Sequence, residues 1–189
     1  MLIDKSDEIY LRPLLKKDIN KRYISWFSDV QVTKFLDARN ITKKESIYYL
    51  QKGIDTGQYY ILAICCSRAD LHIGNIKIGP IRRKDGLSDL VTVIGDRNYW
   101  GKGFASKAIK KAINIAFREG GMRKFIASID SLNIASVKSY LKGGFTVESK
   151  IKDYFFHEQN GKSYFSDKIF VSCANKNYDI SILNNWKIK

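Results

Sequence analysis

Apolar positions along this chain recur with two periods, and the switches between them predict most of its elements. Alternation over Glu8–Leu14, "EIYLRPL", predicts a first strand that stops at Pro13. Over "KKDINKRYISWFSD" the spacing changes: Ile19, Tyr23 and Trp26 or Phe27 share one face of a predicted helix. "ITKKESIYYLQKG" opens on Thr42 with Glu45 three residues on, the signature of a capping box, and ends at Gly53 or Gly57. Two strands, "QYYILAICC" and "LHIGNIKIGPI", turn around "SRAD", and a third, "SDLVTVIGD", follows the charged turn "RRKDG". A helix then runs from the Gly101–Gly103 region to about Glu119 and is stopped by Gly120 and Gly121. "KFIASID" reads as a strand and "NIASVKSYLKGG" as a short helix. "FTVESKIKDYFF" and "SYFSDKIFVSC" read as a hairpin turning at "QNGK".

This order predicts an α+β (mixed α/β) domain with a central, mostly antiparallel twisted sheet flanked by helices. The segment from Leu90 to Ile129 is expected to form its one parallel, right-handed crossover. No Pro/Gly/Ser linker divides the chain, so residues 1–174 are read as one domain. The tail from Asn175, without a clear period, is read as a C-terminal extension of uncertain structure.

Composition and charge narrow the chemistry. The N-terminus lacks the apolar run of a signal peptide, and no stretch reaches membrane-spanning length. Cys65 and Cys66 would point to opposite faces of a strand, so they are poor partners, and a reduced, cytoplasmic setting is expected. His72 and His157 stand far apart and no Cys/His/Asp spacing suggests a metal site. No Ser-His-Asp or Cys-His nucleophile is legible. The net charge of +14 suits an acidic partner such as a phosphorylated cofactor, although a Lys-rich surface alone accounts for it equally well.

The stretch "RNYWGKGFASKAI" places two glycines directly before a helix, where they weaken helical propensity. The first amides of a helix lack internal partners and carry the positive end of its dipole. Glycines there form an anion cradle. Three segments together then resemble the GNAT superfamily of acyl-CoA-dependent N-acetyltransferases. The likeness is greatest to the branch of ribosomal-protein N-terminal acetyltransferases and bacterial small-amine or amino-sugar acetyltransferases. "NYWGKGFA" resembles the family's pyrophosphate loop, with Asn98 where Gln or Arg is usual. "SLNIASVKSYLKGGF" matches the family's spacing of Asn133, Ser136, Tyr140, Gly144 and Phe145. "IGNIKIGPI" with "DLVTVIGD" resembles the paired strands before the loop, with Asp89 at an often acidic position and Thr92 where Gly is usual.

The resemblance implies an acetyl-CoA-dependent N-acyltransferase in which two strands splay apart at the cofactor. The implied cofactor residues are Val93, Ile94, Gly95, Trp100, Gly101, Lys102, Gly103, Phe104, Ala105, Asn133 and Ser136. Val93, Ile94 and Gly95 would offer main-chain groups to the pantetheine arm. Lys107, Lys110 or Lys111 would reach the remaining phosphates or form a solvated helix face. Tyr140 is the implied acid for the leaving thiolate. Asp89 is the first candidate base, Asp130 the second and Asp85 a weaker third. For the acceptor, Trp26, Phe35, Arg39 and Tyr154 are the candidates, within a wider set of Phe27, Phe155, Phe156 and His157; these aromatics equally suit core packing. The expected acceptor is a small or sugar-linked amine, with a ribosomal or other protein N-terminus as the alternative. A non-catalytic CoA- or RNA-binding module is the reading from a different class. Neither a membrane nor a specific nucleic-acid partner is expected, and the chain is expected to be a bacterial monomer or homodimer.

Overall fold

Thr42 and Glu45 form the capping box that their spacing predicts. The Glu45 amide donates to Thr42 Oγ1 at 3.2 Å, and the Thr42 amide donates to the Glu45 carboxylate at 2.7 Å. This opens helix α3, Lys43–Thr56, which ends at Gly57 in the left-handed region. The predicted helix before it is broken in two. Asp18 accepts from the Leu15 amide at 2.8 Å and holds Arg12 through two bonds of 2.6 and 2.8 Å. Asn20 then caps a new start by accepting from the amides of Arg22 and Tyr23. These short polar side chains compete with the helical backbone, leaving a 3-10 turn over Lys16–Asp18 and a separate α1, Lys21–Ser28. A single-turn α2 follows at Val30–Thr33.

The computed structural model describes residues 7–188. Its strands are β1 (Ile9–Pro13), β2 (Tyr60–Cys66), β3 (Leu71–Arg82), β4 (Leu87–Ile94), β5 (Lys124–Asp130), β6 (Thr146–Gln159) and β7 (Lys162–Ala174). They form one sheet in the order β1-β2-β3-β4-β5-β7-β6. Every neighbouring pair is antiparallel except β4 and β5. The crossover between those two carries α4, Phe104–Arg118, as expected. Helix α5 is Ile134–Lys142.

Alternation along the strands separates two cores. Ile73, Ile76, Leu90, Phe125, Ala127, Ile129 and Val171 pack with Ala108, Ile109 and Ala112 of α4 and Tyr140 of α5. On the other face, Tyr10, Ala63, Cys65 and Val93 pack with Tyr23, Trp26 and Phe27 of α1 and Leu50 of α3. Helices α1–α3 therefore cover only the β1–β4 half of that face. The tail, left without a structural reading by the sequence, is ordered against the domain. It forms α6, Ile180–Asn185, and buries Leu183 and Trp186 in the first core, while Tyr60 donates to the Trp186 carbonyl at 3.3 Å.

Strands β4 and β5 pair only at Leu87–Asp89 against Lys124–Ile126. Beyond that point β4 continues with β3 alone and β5 with β7 alone, so a split opens within the sheet.

Candidate active site

The split, and the loop above it, hold most of the expected site residues. In that loop Gly101 and Gly103 have φ of +73° and +76°, a conformation that L side chains rarely adopt. A Cβ on Gly101 would meet nothing within 4 Å, and one on Gly103 only Ser106 Oγ at 3.9 Å. The glycines are thus required by backbone conformation and leave open space above it. Gly103 is the N-cap of α4 and supplies no side-chain cap, so the amides of Phe104 and Ala105 face that space at the positive end of a 15-residue helix. Trp100 ties the loop to the sheet: its indole N–H donates to the Ile94 carbonyl at 2.7 Å. Lys102 is exposed, its ammonium 5.5 Å from the Tyr99 ring. Lys107 and Lys111 are instead ion-paired with Glu8 and Asp7, which draws both toward the start of β1. Of the three helix lysines, Lys110 alone has no ion-pair partner among the described residues.

Of the three residues expected to offer main-chain groups to the split, only Ile94 does so. The Gly95 amide donates to Ile73 O at 2.9 Å, and Val93 stands opposite Asn75 in the same antiparallel ladder. Main-chain groups of successive residues point to opposite sides of a strand. Val93 and Gly95 therefore bond to β3, whereas Leu90, Thr92 and Ile94 present theirs to the split. Gly95 serves packing: a Cβ there would lie 2.1 Å from the Trp26 ring.

Tyr140 enters the split from α5. It is buried, and its hydroxyl donates to Leu90 O at 2.6 Å. Burial pushes its phenol well above the ordinary value, with the neighbouring Thr92 pulling it down, so it stays protonated across the working pH range. Thr92 Oγ1 is buried without a well-formed hydrogen bond. A hydroxyl without a well-formed bond, beside a phenol and the main-chain groups of Thr92 that β3 does not use, is a polar lining for a ligand arm. At the start of α5, Asn133 caps the helix by accepting from the Ser136 amide at 3.2 Å. The Asn133 NH2 and the Ser136 hydroxyl have no partners among the described residues.

The candidate bases occupy different environments. Asp89 lies at the narrow end of the split on the face turned away from α4, and no hydrogen bond or ion pair holds its carboxylate among the described residues. Burial lifts its carboxyl above the ordinary value, while Lys77 and Arg82 draw it back. Asp130, at the open end of β5, is buried and fully engaged. Its Oδ1 accepts from Ser166 at 2.7 Å and from the Leu132 amide at 2.9 Å, and its Oδ2 lies 3.1 Å from His157 Nε2. Asp85 sits exposed in the β3–β4 turn, away from the split.

The acceptor candidates are dispersed. Trp26 is not on an open surface: it is a core residue, packed edge-on to His72 at 5.0 Å and against Gly95. Phe27 is likewise buried. Phe35 and Arg39 lie in the loop after α2, where the Arg39 guanidinium donates to the carbonyls of Leu36 and Lys34. Tyr154 stands half-exposed on β6, across the split from them. Phe156, one strand position from Phe155, points to the opposite face and packs edge-on to Phe165 at 5.7 Å. Two residues were missed by sequence reasoning. Thr92 was noted only as a departure from Gly, and Lys168 is one of many scattered lysines until β7 brings it beneath Tyr154.

Comparison with known proteins gives a family and a shared fold. The GNAT acetyltransferase domain matches residues 8–146. The uncharacterized N-acetyltransferase p20 of Bacillus licheniformis is 25% identical over 177 residues, covering 92% of this chain and 96% of that protein. Among solved structures, the spermidine N-acetyltransferase of Vibrio cholerae, crystallised with CoA and spermine, superposes with a TM-score of 0.77. That match has 19% identity and covers 90% of this chain and 98% of that one. The ribosomal-protein-S5-alanine acetyltransferase of Vibrio fischeri superposes with a TM-score of 0.72 at 17% identity, covering 92% and 96% of the two chains.

Proposed function

This chain belongs to the GNAT acetyltransferase family, and we propose that it acetylates the primary amine of a small or sugar-linked acceptor. It is an acetyl-CoA-dependent acyltransferase, and bound acetyl-CoA supplies the activated acetyl thioester. The observation that carries the reading is the split itself, with an uncapped, glycine-shaped helix start at its mouth and an unengaged carboxylate, Asp89, at its narrow end.

In this reading the amides of Gly103, Phe104 and Ala105 hold the cofactor's pyrophosphate, with Gly101 shaping the turn and Lys102 adding charge. Main-chain groups of Thr92 and Ile94 pair with its arm as a strand would. Asn133 and Ser136 contact that arm from the α5 side. An amine of ordinary pKa is mostly protonated at pH 7, so a base must take its proton before attack. Asp89 takes that role, directly or through a water. It is preferred to Asp130, whose oxygens are already engaged. Tyr140, protonated throughout, turns its hydroxyl from the Leu90 carbonyl to give a hydrogen bond to the departing sulfur. A thiol of pKa near 8.5 leaves readily, so this contribution is modest.

The acceptor face favours an uncharged or anionic amine over a polyamine. Lys77 and Lys168 stand on it with no carboxylate at ion-pair distance among the described residues, and they would repel a polycation. A second reading, acetylation of a protein N-terminus, is favoured by the structural likeness to the ribosomal-protein acetyltransferase. Thiol release from acetyl-CoA, measured with glucosamine, a UDP-linked amino sugar, spermidine and an alanine-terminated peptide, separates the readings. Turnover with the sugar amines is expected. Turnover confined to the peptide selects the second reading, and turnover confined to spermidine contradicts both.

A further inference from the structure

On β5, the side chains of Phe125, Ala127 and Ile129 enter the core beneath α4, so Ser128 and Asp130 face the other way. Their ladder partners on β7, Phe170 and Lys168, share that open face. There the Lys168 ammonium lies 4.2 Å from the centre of the Tyr154 ring, 5.2 Å from that of Phe170 and 6.0 Å from that of Phe155. The rings favour the charge through their faces but accept no strong hydrogen bond. All three N–H donors of Lys168 lack an acceptor among the described residues.

The obvious acceptor is withheld. Asp130 stands directly opposite Lys168 in the ladder. Its oxygens are turned instead to Ser166, the Leu132 amide and His157. Other lysines of this face are engaged: Lys77 donates to Tyr49 Oη at 3.3 Å, and Lys124 is paired with Glu148 at 2.8 Å. Lys168 is thus a fixed cation without a counter-charge, set on an aromatic ledge at the open end of the split. Because the rings already restrict its rotamers, binding an anion there costs little further side-chain entropy.

We propose that Lys168 seats an oxyanion of the acceptor, so that the substrate is an amine bearing a phosphate or carboxylate away from its reacting nitrogen and resting on the Tyr154–Phe155–Phe170 ledge. This rests on the reading that the open face receives the acceptor. Calorimetric titration, in saturating CoA, compares matched pairs. Ethanolamine is set against O-phosphoethanolamine, glucosamine against glucosamine 6-phosphate, and butylamine against γ-aminobutyrate. At least one member bearing the phosphate or carboxylate is expected to bind about ten-fold more tightly than its parent that lacks it, as a charge-assisted contact provides. The preference should vanish in Lys168→Met, which keeps the apolar stem, and return in Lys168→Arg. Preference in the phosphate pairs alone, or in the carboxylate pair alone, supports the seat and identifies the anion. No preference in any pair overturns it, whether the members bind equally or not at all, and so does a preference that survives Lys168→Met. Preferential binding without acetylation of any amine would refute the proposed function and leave the seat standing. Acetylation of the parent amines as efficient as that of their phosphate- or carboxylate-bearing partners would do the reverse.

Discussion

On the β1–β4 half of the sheet both faces are covered, by α4 on one side and α1–α3 on the other. On the β5–β7–β6 half the second face is open, and β6 is exposed along nearly its whole length. The two halves meet at the split and bring different materials to it. The covered half, with the loop that follows it, offers main-chain groups: the amides after Gly103 and the edges of Thr92 and Ile94. The open half offers side chains: Lys168, Tyr154, Phe170 and the Asp130–His157–Ser166 cluster. A site built from backbone tolerates many sequences and suits a ligand shared across a family. One built from side chains on separate strands varies freely, which is why a fold does not specify a substrate.

The difference can be broken by substitution, and the largest effect is expected where the halves meet. Asp89→Asn should lower kcat/KM about 100-fold, the scale of general-base catalysis. The acid limb of the pH–rate profile, set by a carboxyl lifted above its ordinary value, should disappear with it. Stability should move the other way. Burial makes the folded chain bind this proton more tightly than the unfolded chain does. The stability contributed here therefore falls as pH rises from the ordinary carboxylate value to the folded one. Asparagine removes that loss, so Tm at pH 7 should not drop; a large fall would mean that Asp89 is structural.

Tyr140→Phe should reduce kcat by about ten-fold, below the usual scale of acid catalysis because a thiolate leaves easily. It also leaves the Leu90 carbonyl unpaired, at about 1–2 kcal/mol of stability by denaturant titration. An unchanged kcat removes Tyr140 from the chemistry. Gly103→Val places a β-branched residue at φ +76° and fills the space above the helix start, so CoA affinity by calorimetry should fall about ten-fold. Equal affinity would show that the loop holds nothing. The smallest contrast sharpens the open half. Tyr154→Ala should raise the acceptor KM roughly three-fold through loss of a cation–π and stacking surface. Phe156→Ala, on the opposite face, should leave KM unchanged.

The same division explains what could be read from the chain. The Thr42 capping box, the Gly101–Gly103 loop, the Tyr140 helix and the succession of elements along the chain are local patterns, each legible because its residues are neighbours in sequence. The first helix was misread because apolar spacing outweighed two short polar residues, Asp18 and Asn20, whose side chains capture the backbone. The apolar residues of the tail fall without a regular period, yet Leu183 and Trp186 find the core once β2 and α4 are assembled. Trp26 fits a core and a pocket equally well in sequence, and only the clash it would make with a side chain at Gly95 places it inside. Which residues of β4 face the split depends on pairing parity with β3, information held in a different strand. The withheld carboxylate of Asp130, and so the unpaired charge of Lys168, requires β5, β6 and β7 together.

Amide hydrogen exchange on β4, with and without CoA, tests most directly the claim that the cofactor arm pairs with the free edge of the split. The amides of Thr92 and Ile94 should exchange in the free protein and become protected with CoA. Those of Val93 and Gly95, already bonded to β3, should be protected in both states. Protection of Thr92 and Ile94 that does not change when CoA is bound would contradict the account.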